Sequence, residues 1–569
     1  MRVFALRKPT RRLAAAVARF RRDEDGALVY FTLMLFLLMI MMGGIAVDAM
    51  RYEQRRTALQ STLDRSTLAA ASMTQDLDPE EVVRDYFEKA GLTPYLTKVT
   101  VTEGLNYRNV KAQAKADADP MFLGMLGIKD FQAKAVSVAE QRINNVEIML
   151  VLDVSGSMGN AISSGVSKIS ALRSAAKEFV ATVRANDTEN RISIGIVPYN
   201  AQVNLGPDLA AKYTLANQHG VANSNCVEIP DGAYSSTTLS RVTAIPMHPY
   251  ADVANSTNKS TSYVSATDTS NGVSDNFWCP VSTKNVVRLP ASDVTTLQGY
   301  IDQLTDDGNT SIMLGMKWGL TLLDPGARPM FNELEADGKI PANFAGRPFD
   351  WDDDEAMKVI VLMTDGEHVA HNTVPDAYKT GLSPVYLSTS GSTRYYSIRH
   401  TTGRPAAAGT NEYWVPHLCT STDCKAGTNT AEAWKSTAYN AGSGVAQQTW
   451  QEVWAKQRVT WVAWQLYARA LGTSSSTRTS AYNAAMVNFK TQFASVTEMN
   501  NQLQQSCTLA KENGVIIYGI AFAAPTNGQT QIQTCATSEA HYFNATDNAY
   551  MLTAFRAIAN NISQLRLMQ

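Results

Sequence analysis

Hydrophobic and polar positions divide this chain into two differently built regions. Residues 27–47 form an uncharged run of 21 residues with Leu, Met and Phe at its centre. At about 1.5 Å per residue such a helix is about 30 Å long, the thickness of a bilayer's hydrocarbon core. The run exceeds the apolar segment of an ordinary signal peptide, so an uncleaved anchor is predicted over a signal sequence or a core helix. Residues 48–73 lack Pro and Gly and are rich in Ala, Leu, Gln and Arg, which predicts that the helix continues as a stalk. Asp78-Pro79-Glu80-Glu81 reads as a capped helix start, with a short helix to about Ala90. Strands are predicted over 97–102 and 109–116, with Val110, Ala112, Ala114 and Ala116 on one face, and over 131–139, after an apolar turn at 122–126. Residues 48–144 therefore read as a small α+β module on a long helix.

From residue 145 onward the pattern changes. Apolar runs at 146–152, 191–197, 358–363 and 515–522 read as strands buried on both faces. Between and after them come amphipathic stretches; Ile169, Leu172, Ala176, Phe179, Val180 and Val183 share one helical face. Helices are also predicted over 292–304 and 498–513, and at the end of the chain, where Leu552, Phe555, Ile558, Ile562 and Leu565 line one side. His541-Tyr542-Phe543 reads as an edge strand. Strands alternating with helices predict an α/β domain. Two stretches interrupt it, near 202–290 and 370–495, and both read as insertions. Within the second, residues 449–471 read as helical, with Trp450, Trp454 and Trp461 as a core stripe.

Charge and cysteines place the chain. There are 50 basic and 52 acidic residues, a formal net charge of −2, so nothing argues for nucleic-acid binding. The distribution is more telling than the sum. Eight Lys or Arg precede the apolar run, and only Arg51, Arg55 and Arg56 follow it closely. This predicts a cytoplasmic basic segment, 1–26, with everything after Val47 outside the membrane, in the periplasm or at the surface. All six cysteines lie beyond residue 220, on that outer side. Disulfides are expected there, and locality favours Cys226–Cys279, Cys419–Cys424 and Cys507–Cys535 among 15 connectivities.

The chemistry sits where the apolar strands end. Asp153-Val154-Ser155-Gly156-Ser157 follows the first run and presents one carboxylate and two hydroxyls at alternate positions. Alone, such a segment is more often a hydrogen-bonded turn. The run at 358–363 ends in Thr364-Asp365-Gly366, and the loop Asp307-Gly308-Asn309-Thr310-Ser311 adds the Thr310 hydroxyl. In an open parallel sheet, loops at the carboxyl ends of neighbouring strands meet in a crevice. Asp153, Ser155, Ser157, Thr310 and Asp365 would then face one point, an oxygen set suited to a hard divalent cation.

This three-part pattern resembles the von Willebrand factor A domain and its metal-ion-dependent adhesion site. The resemblance implies a doubly wound, mostly parallel sheet, with Mg²⁺ or another divalent cation such as Mn²⁺ or Ca²⁺ held by those five residues. It also implies a protein partner whose Asp or Glu completes the metal. The separation of Ser157 from Thr310 is longer than usual in that family, which the insertion at 202–290 explains. Nucleotide binding is disfavoured, because neither phosphate-binding glycine motif is present. Glu367 and His368 suggest a hydrolase reading, and His368 and His371, three apart, would share a helix face in a zinc reading with no third ligand in view.

The N-terminal region carries a second resemblance. Arg21 to Ala27, the apolar run, Val47-Asp48, and Thr57 through Ala71 are similar to the start of TadG-like proteins of the TadE/TadG group, which serves tight-adherence (Flp) pilus assembly. The combination with an A-type domain implies a membrane-anchored, non-enzymatic component that binds other pilus-assembly proteins. A pilin-like subunit carrying the A-type domain as a passenger is the alternative, and an extracytoplasmic metal-dependent hydrolase a further one. Processed pilin-like members have Glu five residues after the cleavage-site Gly; counted from Gly26 that position is Phe31.

Overall fold

The computed structural model describes residues 17–19, 25–72, 77–103, 107–117, 120–128, 132–142, 145–162, 165–185, 187, 190–253, 273–274, 276–353, 356–419, 431–440, 442 and 444–563. The chain divides into two compact units at residues 143/144. Most of the predicted basic segment, Cys424, Leu565 and part of the first insertion lie outside the described residues.

The first unit is built on one helix, α1, Asp25–Ala71. Its N-terminal part is long and apolar enough to cross a membrane, with a mean hydropathy of 2.4. Membrane-type run and stalk are thus one continuous helix. Helix α2, Pro79–Lys89, starts as predicted: the Asp78 carboxylate accepts the Glu80 and Glu81 N–H groups. Strands β1 (Leu96–Glu103), β2 (Tyr107–Asp117) and β3 (Gln132–Arg142) form an antiparallel sheet in that order. Val110, Ala112, Ala114 and Ala116 are buried on one face, packed with Leu59, Leu63, Val83 and Phe87 of the helices. Small Ala side chains let the sheet approach α1 closely.

The second unit centres on a six-stranded sheet whose strand order is β18 (Tyr542–Ala545), β17 (Ile516–Phe522), β9 (Ala356–Thr364), β4 (Asn145–Asp153), β5 (Ile192–Tyr199) and β8 (Arg288–Ala291). Its first strands are β4 (Asn145–Asp153) and β5 (Ile192–Tyr199), joined through α3 (Lys168–Arg184). After two short paired strands, β6 (Leu215–Ala216) and β7 (Ile245–Pro246), comes β8 (Arg288–Ala291), the antiparallel edge beside β5. Helices α4 (Val294–Asp302) and α5 (Ile312–Leu323) follow, then β9 (Ala356–Thr364). The pairings β4–β5, β4–β9, β9–β17 and β17–β18 are all parallel. Alternation along β4 feeds two cores: Met149 and Val151 pack with α5, while Ile148, Leu150 and Leu152 pack with α3. Burial on both faces is why these strands read as continuous apolar runs.

The second insertion contains more structure than its sequence announces. Strands β10 (His371–Thr373) and β16 (Thr491–Ala494) pair antiparallel and close its neck. Between them, β11 (Leu382–Ser390), β12 (Thr393–Arg399), β13 (Tyr413–Trp414), β14 (Trp434–Lys435) and β15 (Ala446–Thr449) form an antiparallel sheet ordered β14-β13-β12-β11-β15. The stretch expected to be one helix over 449–471 is a chain of short helical pieces with a π-helical turn at Val462–Ala468. Trp450, Trp454 and Trp461 are buried in a separate core, with Phe489 of α6 (Ser475–Phe489). The chain returns through α7 (Val496–Glu512), β17 (Ile516–Phe522), α8 (Thr526–Cys535), β18 (Tyr542–Ala545) and α9 (Asn548–Ser563). The molecule is therefore mixed α/β; antiparallel sheets in the module and the second insertion accompany the predominantly parallel central one.

Disulfides join Cys226 to Cys279 and Cys507 to Cys535, two of the three local pairings. Cys419 is also disulfide-bonded; its expected partner, Cys424, lies outside the described residues.

Candidate functional site

Strand register decides which loops meet. Leu152 of β4 lies beside Met363 of β9, so Asp153 emerges next to Thr364 and Asp365. The Thr364 hydroxyl donates to Asp153 Oδ2 at 2.6 Å, and the Ser155 N–H donates to Asp153 Oδ1 at 2.8 Å. Asp365 sits on the other side of the two serines. Ser157 Oγ donates to its Oδ1 at 2.7 Å, and Ser155 Oγ approaches the same oxygen at 3.4 Å. The two hydroxyls are themselves 3.1 Å apart.

Backbone contacts bring in the third loop. Gly156 N–H donates to the Gly308 carbonyl at 2.9 Å, and Asp307 N–H to the Val154 carbonyl at 2.9 Å. Asn200, just beyond β5, holds the loop from behind: its amide donates to the Asp307 carbonyl at 3.0 Å and its carbonyl accepts the Ser311 N–H at 2.7 Å. Thr310 is buried against Gly366. A Cβ on that glycine would stand 3.2 Å from Thr310 Oγ1, so the glycine preserves the space in front of the hydroxyl. Asp153, Ser155, Ser157 and Asp365 are thus joined by side-chain hydrogen bonds, and Thr310 is brought alongside by its loop. Asp153, Ser155, Thr310 and Asp365 are buried, whereas Gly156, Asp306, Asp307, Gly308 and Glu367 around them are exposed. The cluster lies beside these exposed loop residues. A polar cleft of about 320 Å³ opens beside it, lined in part by Val154, Asn200, Gln202, Asn285 and Asp307.

The electrostatics are unbalanced. Burial, and next the charge of Asp365, push the Asp153 carboxyl up to about 7. The nearby cation is Lys168, in the first turn of α3. Its ammonium is 3.0 Å from Asp365 Oδ2 and its side chain is only 11% exposed. This ammonium pairs with Asp365, and Asp153 is held by the Thr364 hydroxyl and the Ser155 N–H. Among the described residues, no three His, Cys, Asp or Glu side chains converge as a metal cluster. The arrangement instead combines two carboxylates with three hydroxyls.

Sequence reasoning missed Lys168 and the role of Thr364. A Lys opening the helix that follows the Ser-rich loop was the available signal for the first; the second depends on strand adjacency. The two histidines fall elsewhere than a shared helix face. His368 is in a loop, where its Nε2 accepts the Met313 N–H at 3.0 Å and its Nδ1 lies 2.7 Å from Asn500 Oδ1. His371 opens β10, buried and stacked on Trp278 with centroids 5.0 Å apart. Pairing of β10 with β16 at the insertion's neck imposes an extended backbone at His371, where the zinc reading needs a helix.

Comparison with known proteins adds one family match and several distant structural likenesses. No curated protein matches the chain. The pilus adhesin SpaC from Lactobacillus rhamnosus GG aligns at 13% identity and a TM-score of 0.28, over 82% of this chain and 33% of its own. The von Willebrand factor domain of the type V pilus tip protein Mfa5 from Porphyromonas gingivalis aligns at 14% identity and a TM-score of 0.27, over 74% of this chain and 95% of its own. The pilus adhesin RrgA from Streptococcus pneumoniae aligns at 10% identity and a TM-score of 0.30, over 82% and 50%. The chain thus spans about a third to a half of the two full adhesins. Likenesses this distant carry no function across. The family model described as "Putative Flp pilus-assembly TadE/G-like" matches residues 26–73, so the N-terminal helix of this chain is TadE/TadG-like.

Proposed function

We propose that this chain is a membrane-anchored, extracytoplasmic component of Flp/Tad pilus assembly or adhesion, and that its second unit is a von Willebrand factor A-type domain with a metal-ion-dependent adhesion site. The observation that carries the proposal is the convergence of Asp153, Ser155, Ser157, Thr310 and Asp365 at the carboxyl ends of β4 and β9 and on the loop before α5. The donor set fits a hard divalent cation such as Mg²⁺: the oxygens are carboxylate and hydroxyl, and the buried carboxylate charge exceeds what Lys168 balances. A bound cation supplies a Lewis-acidic point on which a partner's Asp or Glu completes the coordination. The chain's own residues do the rest. Asp153 and Asp365 balance the ion's charge, the hydroxyls contribute neutral oxygens, and the exposed rim of Gly156, Asp306, Gly308 and Glu367 meets the partner. His368, engaged by Met313 and Asn500, supports a loop and not a hydrolytic base. The match over residues 26–73 points to other pilus-assembly proteins as partners. The basic excess before residue 27 favours a cytoplasmic N-terminus.

The test is co-purification of crosslinked partners with full-length protein, with Mg²⁺ or EDTA. Recovery that depends on Mg²⁺ and disappears in Asp153→Ala is expected. Recovery from both proteins in EDTA as high as that of wild type in Mg²⁺ would sink the adhesion reading.

A further inference from the structure

The first unit carries an apolar loop that its own core leaves uncovered. Residues 121–128 read Met-Phe-Leu-Gly-Met-Leu-Gly-Ile. Four of these side chains face outward: Met121 is 64% exposed, Met125 83%, Leu126 51% and Ile128 43%. An exposed cluster of this kind is a contact surface awaiting an occupant.

Its attachment to α1 tells where it lies along the helix. The Asp48 carboxylate accepts three successive backbone N–H groups of the loop, from Met121 at 3.1 Å, Phe122 at 2.7 Å and Leu123 at 2.9 Å. These bonds, the Leu123 N–H foremost, hold the carboxyl below the usual range. The Phe122 ring covers Gly44, where an added Cβ would come within 2.2 Å of it. Gly44 and Asp48 are four residues apart and so share a helix face. Both are buried, whereas Met42 and Val47 are exposed. The loop is therefore fixed to the last turn of the apolar run, from about 4.5 Å before its end at Val47 to about 1.5 Å beyond it. In a helix that spans about 30 Å of hydrocarbon, that level is the boundary between acyl chains and headgroups. The loop's exposed Met, Leu and Ile side chains continue the lipid-facing surface of α1.

We infer that residues 121–128 dip into the leaflet that receives the C-terminal end of the apolar run, as a second membrane contact beside α1. The occupant is lipid. The helix anchors the chain; the loop fixes the tilt and rotation of the β1–β3 module against the bilayer, as an apolar interfacial segment does. Asp48 is the joint between the two. This inference rests on residues 27–47 crossing the membrane and is independent of which side the module faces.

The test uses the full chain in phosphatidylcholine–phosphatidylglycerol vesicles, with an environment-sensitive fluorophore on Met125→Cys, on Met39→Cys within the apolar run, or on Lys98→Cys of β1. No free cysteine competes among the described residues. Blue-shifted emission from Met125→Cys is expected, with quenching by shallow spin-labelled lipid and several-fold less quenching by aqueous iodide than Lys98→Cys shows. Iodide access at Met125→Cys equal to that at Lys98→Cys, with Met39→Cys quenched by lipid, would overturn the loop contact and leave the span intact. Self-quenching between labelled chains at Met125→Cys without lipid quenching would overturn it in favour of a second copy. Lack of lipid quenching at Met39→Cys would remove the span itself, and the loop contact with it.

Discussion

Strands β4 and β9 carry a buried charged cluster at each end, and the two clusters are built oppositely. At the amino ends, Glu147 of β4 lies directly across from Lys358 of β9, and Arg347 approaches from the side at 3.8 Å. One carboxylate meets two cations. Phe349 N–H donates to both Glu147 oxygens at 3.2 Å, Lys358 also donates to the Leu323 carbonyl at 2.9 Å, and Arg347 to the Val146 carbonyl at 3.2 Å. At the carboxyl ends the count reverses: two carboxylates, Asp153 and Asp365, lie near Lys168, which pairs with Asp365. The amino-end cluster is closed by its own partners. The carboxyl-end cluster has negative charge to spare, and it lies under exposed loops. Charge balance, more than burial, separates a structural cluster from one suited to a cation.

Removing a closed partner should cost most. Glu147→Ala leaves Lys358 and Arg347 buried without their counter-charge, and a loss of about 3–5 kcal/mol is expected in urea unfolding. Mg²⁺ affinity of the molecules that stay folded should not change. A variant as stable as wild type would show that the amino-end cluster is not the closed unit described.

Asp153→Ala should do the reverse. Mg²⁺ affinity should fall more than about 100-fold, since removing even a supporting group outside the coordination sphere costs 10–100-fold. Stability in EDTA should be unchanged or higher, because repulsion with Asp365 is relieved. Thermal unfolding in EDTA and in Mg²⁺ checks both halves.

Lys168→Met sharpens the comparison by making the carboxyl-end cluster more negative. Mg²⁺ should bind about tenfold more tightly, equivalent to about 1.4 kcal/mol. Thermal stability should fall in EDTA and recover in Mg²⁺. An equal loss in both conditions would make Lys168 a packing residue only.

A pH series gives a smaller effect. The Asp153 carboxyl is raised to about 7 from an ordinary value near 4, chiefly by burial. The folded state therefore holds this proton more tightly than the unfolded one. That contribution to stability is complete below about pH 4 and is lost as pH rises towards 7. In EDTA, wild type should lose stability relative to Asp153→Asn across this window. Parallel pH profiles for the two proteins would contradict the assignment.

The same contrast explains what the sequence could reveal. The strands of the central sheet were legible because burial on both faces makes continuous apolar runs such as Ile148–Leu152. The Asp153-Ser155-Ser157 segment was legible because its three groups are local. Lys168 with Asp365, and Thr364 with Asp153, depend on which elements lie side by side, and no local pattern encodes that. The sheet in the second insertion was illegible for another reason. Strand β11 contains Pro384 and is rich in Ser and Thr, and β13 and β14 are only two residues long. Edge strand β8 carries Pro290, which argues against a strand unless its N–H side needs no partner.

The most direct measurement is Mg²⁺ titration calorimetry on the full-length protein in detergent, comparing wild type with Asp153→Ala. One ion bound per wild-type chain, and no measurable binding to Asp153→Ala, is the expected result. Equal heats from the two proteins, or none from either, would contradict a cation site at the carboxyl ends of β4 and β9.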